Sequence, residues 1–106
     1  MGFLLPVPAR RAIAKLGADI SRARRRRRLS QASLAQRSGI SVATLKRLEN
    51  GEPRVALEAL ARVLQVLGEI DRLAQLLGTE EDQIGLALMD EQLPKRVRRR
   101  RSSGAL

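Results

Sequence analysis

Apolar residues recur along most of this chain at steps of three and four, which place them on one side of a helix. In the first such stretch they are Ala9, Ile13, Leu16, Ile20 and Ala23. This spacing predicts one long amphipathic helix over about residues 9–27, with Pro8 suited to its first turn. Gly17 lies inside this helix and is expected to weaken it somewhat.

Two shorter periodic segments follow, separated by the turn Ser-Gly-Ile-Ser at residues 38–41. They predict helices over about 31–37 and 42–50. Each is preceded by a serine that can accept a hydrogen bond from a first-turn N–H. Gly39 lies where the chain must leave the first of them, because glycine enters the left-handed region without penalty. Residues 31–50 therefore have the pattern of a helix-turn-helix unit, whose second helix enters the major groove of DNA.

The next segment is apolar almost all the way around and predicts a fourth helix over about residues 57–67. Such a helix must be covered on two sides, one by the helix-turn-helix unit and the other by the rest of the chain or a second subunit. A further helical pattern runs from Ile70 to Leu77, with Gly78 as its expected stop. A weaker one covers residues 80–93.

These elements predict an all-α chain with three parts. We expect a helix-turn-helix domain over residues 9–78, a helical extension over 79–94 that makes a dimer or partner contact, and a basic flexible tail over 95–106. One small domain plus tails suits 106 residues. Phe3 is the single aromatic residue, so the core must be aliphatic, which favours packed helices over sheets.

Charge divides along the chain. Residues 1–54 hold 13 basic and 3 acidic groups (+10), residues 55–94 hold 2 and 8 (−6), and residues 95–106 hold 6 and none (+6). A surface that touches phosphate should be basic, whereas one that touches another protein need not be. We therefore expect DNA contacts in the first part and protein contacts in the acidic middle.

Cysteine and histidine are absent, which removes the usual thiol nucleophile, general base and nitrogen or thiolate metal ligands. No Gly-rich phosphate loop is present. We expect no enzyme, no metal and no cofactor. No apolar run approaches the roughly 18 residues of a membrane span, and the first five residues are too short for a signal peptide. A cytoplasmic, nucleoid-associated protein without membrane contact is expected.

The motifs Leu-Ser-Gln-Ala-Ser-Leu-Ala-Gln at residues 29–36 and Leu-Lys-Arg-Leu-Glu-Asn-Gly at 45–51 resemble the phage repressor, Cro and Xre class. The resemblance covers roughly residues 20–67. It implies a five-helix, lambda-repressor-like domain whose third helix reads bases. Ala56 departs from the pattern, because relatives commonly carry a capping serine there. Alanine costs such a helix about 1 kcal/mol.

The same resemblance implies roles for three polar residues. Gln31, at the start of helix two, is expected to hold a phosphate. Arg24 and Glu49 are expected to form a structural ion pair between helices one and three.

The C-terminal half resembles a narrower group. Residues 67–74 (Leu-Gly-Glu-Ile-Asp-Arg-Leu-Ala) and 85–96 (Gly-Leu-Ala-Leu-Met-Asp-Glu-Gln-Leu-Pro-Lys-Arg) look like small Xre proteins that accompany HipA-type kinase toxins. This resemblance implies a HipB-like antitoxin that dimerises, represses its own operon and binds the kinase toxin.

Helix spacing predicts which residues meet DNA. The outward side of helix three should present base-contacting residues, which are Val42, Ala43, Lys46 and Arg47. Arg47 can contact guanine O6 and N7 in a bidentate manner, for about 1–3 kcal/mol of discrimination. The phosphate candidates are Gln31, Ser41, Thr44, Asn50 and Arg54. Thr44 has the alternative of packing its methyl group.

Several interpretations stay open. The run at residues 24–28 sends its arginines around the whole helix, so it favours a solvated face with one or two phosphate contacts. The tail arginines fit a polyanion-binding arm, a toxin contact or no ordered role. The leading function is a homodimeric, sequence-specific repressor on a palindromic double-stranded operator, acting as a HipB-like antitoxin. One alternative is a protein-interaction module whose main task is to neutralise a kinase toxin, with incidental DNA contact. The others are a stand-alone Xre-family regulator and an arginine-rich RNA or nucleoid binder without sequence preference.

Overall fold

A computed structural model of the chain describes residues 4–78 and 89–92. The helices of its first compact unit, which runs as far as Ala74, are α1 (Val7–Arg26), α2 (Gln31–Ser38), α3 (Val42–Glu49), α4 (Leu57–Leu67) and α5 (Ile70–Ala74). No strand occurs among the described residues. The predicted all-α class is confirmed. None of the described helices combines the length and the apolar character that a bilayer crossing requires.

Aliphatic side chains from the four longer helices meet in one core. Its buried members are Ile20, Leu34, Ala35, Leu45, Leu48, Val63 and Leu67. Leu34, Leu45 and Val63 have no exposed surface, and burial of each such side chain contributes about 1.5–3 kcal/mol. Because Leu45 and Leu48 both lie in this core, α3 keeps one fixed side toward the protein and leaves the other side outward.

The predicted first residues of α2 and α3 are confirmed, and their last residues differ from the prediction by one. The Ser30 hydroxyl accepts a hydrogen bond from the Ser33 N–H at 3.0 Å, and the Ser41 hydroxyl accepts one from the Thr44 N–H at 3.0 Å. Gly39 ends α2 in the left-handed region, with φ of 73°. A serine cap stabilises its helix by about 1 kcal/mol, so local sequence fixes both ends of the turn.

Helix α4 begins and ends at the predicted residues. Ala56 precedes it without a side-chain cap, as expected, and Gly68 ends it with φ of 80°. The buried residues of α4 are Ala59, Val63 and Leu67. Leu57 is 69% exposed, so within the described residues the first turn of this apolar helix keeps a side without cover.

The prediction of a helix through Leu77 is wrong in its last turn. Helix α5 ends at Ala74, and residues 75–77 form a turn in which Leu76 and Leu77 are 71% and 101% exposed. A terminal turn gains little from propensity alone and depends on packing, and among the described residues these two leucines are not part of the core. Of the predicted helix over 80–93, only residues 89–92 are described, and 89–91 are helical. The predicted tail over 95–106 lies outside the described residues.

Candidate DNA-binding surface

The outward side of α3 is exposed and mostly unpartnered. It carries four exposed residues, Val42, Ala43, Lys46 and Arg47, while Leu45 and Leu48 point into the core. This separation follows from helix geometry, because positions three and four apart share a side. One side of the helix is therefore fixed by packing while the other is free to meet a ligand.

Hydroxyl groups organise the start of α3. The Ser41 hydroxyl donates to Thr44 Oγ1 at 2.9 Å, and Arg47 Nη2 approaches the same oxygen at 3.4 Å. The two hydroxyl groups are therefore held beside each other at the first turn of α3. A contact of 3.4 Å is at the weak limit of a hydrogen bond, so it leaves the Arg47 guanidinium largely available.

A partly buried polar network anchors the end of α3. Glu49 accepts hydrogen bonds from Arg24 Nε at 2.7 Å, from Arg24 Nη2 at 3.1 Å and from Gln31 Nε2 at 3.0 Å. Arg24 Nη1 also donates to the Leu29 carbonyl oxygen at 2.9 Å. The side chains of Arg24 and Glu49 are only 12% and 5% exposed. The pair expected from the resemblance therefore joins α1 to α3, and Gln31 adds the start of α2.

The Gln31 amide bonds to Glu49, a contact within the protein that the sequence did not predict. Its bond to Glu49 uses one of the two Nε2 protons, and the residue remains half-buried at the first position of α2. No short-range pattern signals a contact between residues 18 apart. The bond fixes the side-chain orientation from which any phosphate contact by Gln31 would be made.

Backbones of α1 and the end of α3 approach each other closely. A Cβ atom placed on Gly17 would lie 2.5 Å from the Leu48 carbonyl oxygen and 2.7 Å from that of Glu49. A Cβ atom on Gly51, which has φ of 77°, would lie 2.7 Å from Ala14 Cα. The expectation that Gly17 only weakens α1 is therefore incomplete, because this glycine permits the helix contact. The presence of a glycine inside a long amphipathic helix was the sequence signal for this close helix contact.

The arginines of residues 24–28 point in different directions, as predicted. Arg25 donates to the Ser21 carbonyl oxygen. Arg27 donates to the Leu67 carbonyl oxygen at 2.9 Å and lies 3.7 Å from a Glu69 carboxylate oxygen, so it ties the end of α1 to the end of α4. This second bond was not foreseen. Only a subset of the run is left to meet solvent or phosphate.

Exposed cations lie on the outer side of α3 and in the loop that follows it. Asn50 and Arg54 are exposed in the loop that follows the helix, and Lys46, Arg47 and Arg54 form no ion pair within the described residues. The remaining phosphate candidate, Ser41, is exposed at the other end of α3. These residues place hydrogen-bond donors and cations along α3 and in the loop after it, where Glu52 is the acidic residue.

On α1, by contrast, one carboxylate takes up two cations. Asp19 lies 2.7 Å from Lys15 Nζ and 3.3 Å from Arg22 Nη1. The hydrogen bond from Lys15, together with the positive charges of Lys15 and Arg22, holds the pKa of the Asp19 carboxyl below its ordinary value. Lys15 and Arg22 are thus partly neutralised, unlike Lys46, Arg47 and Arg54, which have no ion pair among the described residues.

Comparison with known proteins agrees with this geometry. A family model described as helix-turn-helix matches residues 20–72, which is half of the chain and runs from α1 into α5. No curated protein and no solved structure matches the chain. The family consists of DNA-binding regulatory domains. The chain belongs to the Xre/Cro-like helix-turn-helix family and is a DNA-binding regulator.

Proposed function

We propose that this chain is a transcriptional repressor that binds a palindromic double-stranded operator as a homodimer at the nucleoid. The observation that carries the proposal is the outward side of α3, where four exposed residues stand on a helix whose other side is buried. A helix held in this way can lie in the major groove in a constant orientation. Sequence preference needs that constancy, because hydrogen bonds to base edges depend on direction.

The exposed residues divide into base and phosphate contacts by their chemistry. Arg47 binds a guanine through O6 and N7, while Val42 and Ala43 offer apolar contact to a thymine methyl group. Lys46 reaches a base or a phosphate. Backbone phosphates are held at the start of α2, at the start of α3 and in the loop after α3. The residues are Gln31, Ser41, Thr44, Asn50 and Arg54.

Dimerisation is supported by the apolar surface that α4 leaves exposed. Leu57 is 69% exposed and Leu64 is only half-buried, outside the core cluster. A second copy that covers this side removes apolar surface from water. Two-fold symmetry then gives half-sites about 10 bp apart, or a multiple of that spacing.

A role as HipB-like antitoxin is the narrower form of this proposal. Leu76 and Leu77 are exposed, in a part of the chain where acidic residues outnumber basic ones, and such residues offer apolar contact to a partner protein. Co-expression with a HipA-type kinase separates the two forms. An antitoxin co-purifies with the kinase at fixed stoichiometry, whereas a stand-alone Xre-family regulator does not.

The central test changes one side chain on the outward face. Selection from a random duplex library first defines the preferred sequence, and Arg47→Ala is then compared with wild type on that sequence and on a variant lacking the contacted guanine. We expect Arg47→Ala to lower the preference for the selected sequence by about 1–3 kcal/mol relative to wild type. Its salt-dependent binding to any duplex should remain. Arg62→Ala, on α4, removes the same charge and serves as the control.

Two outcomes contradict the proposal. One is a selection that enriches no sequence, which would favour a non-specific arginine-rich nucleic-acid binder. The other is an Arg47→Ala protein that keeps the full wild-type preference, since another element would then read the bases.

A further inference from the structure

Helix α1 extends well beyond the part of the chain that the family shares. It begins at Val7, whereas the family match begins at residue 20. The additional turns are not an isolated extension, since Ala14 and Gly17 contact the end of α3 and the loop after it. They are part of the unit that carries the proposed DNA surface.

The contacts along α1 show where its first turns lead. Arg24 bonds to Glu49, Gly17 lies against the backbone from Leu48 to Gly51, and Ala14 lies against Gly51. Toward the start of α1, the contacts therefore move off α3 and onto the loop after it. Residues one turn earlier lie about 5–6 Å further along the helix axis, past Gly51 and on the side of α1 that contacts this loop.

Two arginines occupy that earlier turn. Arg10 and Arg11 precede Ala14 by four and three residues, so they flank it on the same side of the helix. Both are exposed, and neither has a side-chain hydrogen bond or ion pair within the described residues. The next cation, Lys15, is instead paired with Asp19 at 2.7 Å.

We propose that Arg10 and Arg11 bind phosphates of the DNA backbone next to those held by the loop after α3. This inference rests on the proposed function, because it assumes that the outward side of α3 lies in the major groove. The two arginines then extend the strip that begins with Asn50 and Arg54. Glu52, the acidic residue of that loop, is exposed and has no ion pair within the described part of the chain, so three arginines outweigh it.

Salt dependence tests this contact without knowledge of the operator. Each phosphate that a protein neutralises contributes about 0.9 to the slope of log affinity against log salt. The probe is a mixed-sequence DNA duplex, titrated with the full chain at several salt concentrations. We expect R10A/R11A to lower the magnitude of the slope by about 2 per chain, whereas R10K/R11K keeps the wild-type slope because it keeps both charges.

A charge-matched control isolates position from total charge. R62A/R72A removes two arginines from α4 and α5, and we expect it to leave the slope unchanged. Thermal unfolding should differ little between R10A/R11A and wild type, since exposed substitutions stay within about 0.5 kcal/mol.

An unchanged slope in R10A/R11A, or an equal loss in R62A/R72A, would overturn the inference. Either result would leave the proposed function intact, because that depends on the Arg47 preference. A wild-type chain that enriches no sequence would instead remove the proposed function, whatever the slopes.

Discussion

The two sides of α3 differ in what holds them. On the inner side, Leu45 and Leu48 are buried, and Glu49 accepts three hydrogen bonds from α1 and α2. On the outer side, Lys46 is exposed and has no side-chain hydrogen bond or ion pair within the described residues, where the Arg47 side chain has a 3.4 Å contact with Thr44. The eight residues of α3 thus form one side that is packed against the protein and one side that is exposed.

This difference teaches how a small domain can present side chains to DNA with a fixed orientation. The inner side of α3 is held by packing and by the partly buried Arg24–Glu49 pair, so the orientation of the helix is set before any ligand binds. The outward side chains then lose only their own rotamer freedom on binding. Changes on the inner side should therefore alter stability, and changes on the outer side should alter recognition.

The largest expected effect comes from Glu49→Ala. It leaves the Arg24 guanidinium, 12% exposed, without its carboxylate, and it also removes the partner of Gln31. Removal of one member of a buried ion pair costs about 3–5 kcal/mol. Urea unfolding measures this loss, with Glu52→Ala, an exposed carboxylate in the next loop, as the control. Equal stability of the two variants would show that the network does not anchor α3.

A smaller loss is expected from Gly17→Ala. The added methyl group meets two backbone carbonyl oxygens at 2.5 and 2.7 Å, and backbone atoms cannot rotate aside as a side chain can. Overpacking of this kind costs about 1–3 kcal/mol, which outweighs the helix propensity that alanine adds.

Gly78→Ala is the matched control, because its nearest neighbour would be 3.8 Å away. Thermal unfolding should then separate the two alanine variants. If Gly17→Ala unfolds at the wild-type temperature or above, the close approach of α1 to α3 is not required.

Local signals explain what could be predicted from the sequence. The serine caps, Gly39 and the apolar spacing define α2, α3 and α4 to within one residue, because each signal acts over a single turn. The last turn of α5 was wrongly predicted, because periodicity alone does not reveal whether a leucine finds something to pack against. Leu77 is fully exposed and lies outside the core of the described residues.

The missed parts of the candidate site are all contacts between distant segments. The bond from Gln31 to Glu49, the bond from Arg27 to the Leu67 carbonyl oxygen and the contact of Gly17 with α3 join residues 18 to 40 positions apart. Residue types along one helix do not specify such pairs. The Arg24–Glu49 pair was foreseen only through the family resemblance.

The smallest expected change in stability comes from Arg28→Gly. This residue has φ of 57°, a conformation that the chain elsewhere gives to Gly39, Gly51 and Gly68 among the described residues. A non-glycine residue in that region costs about 1–2 kcal/mol, partly offset by the greater freedom of glycine in the unfolded chain. We therefore expect Arg28→Gly to raise the free energy of unfolding by about 0.5–1 kcal/mol.

The control for Arg28→Gly is Arg25→Gly, which removes the same charge inside α1 and should lower stability by about 1 kcal/mol. Chemical unfolding measures both signs, and a salt titration with duplex DNA measures recognition. If Arg28 makes one of the phosphate contacts expected of the arginine run, the stabilised variant loses about 0.9 from its salt slope. A variant with greater stability and an unchanged slope would instead show that the Arg28 side chain makes no phosphate contact.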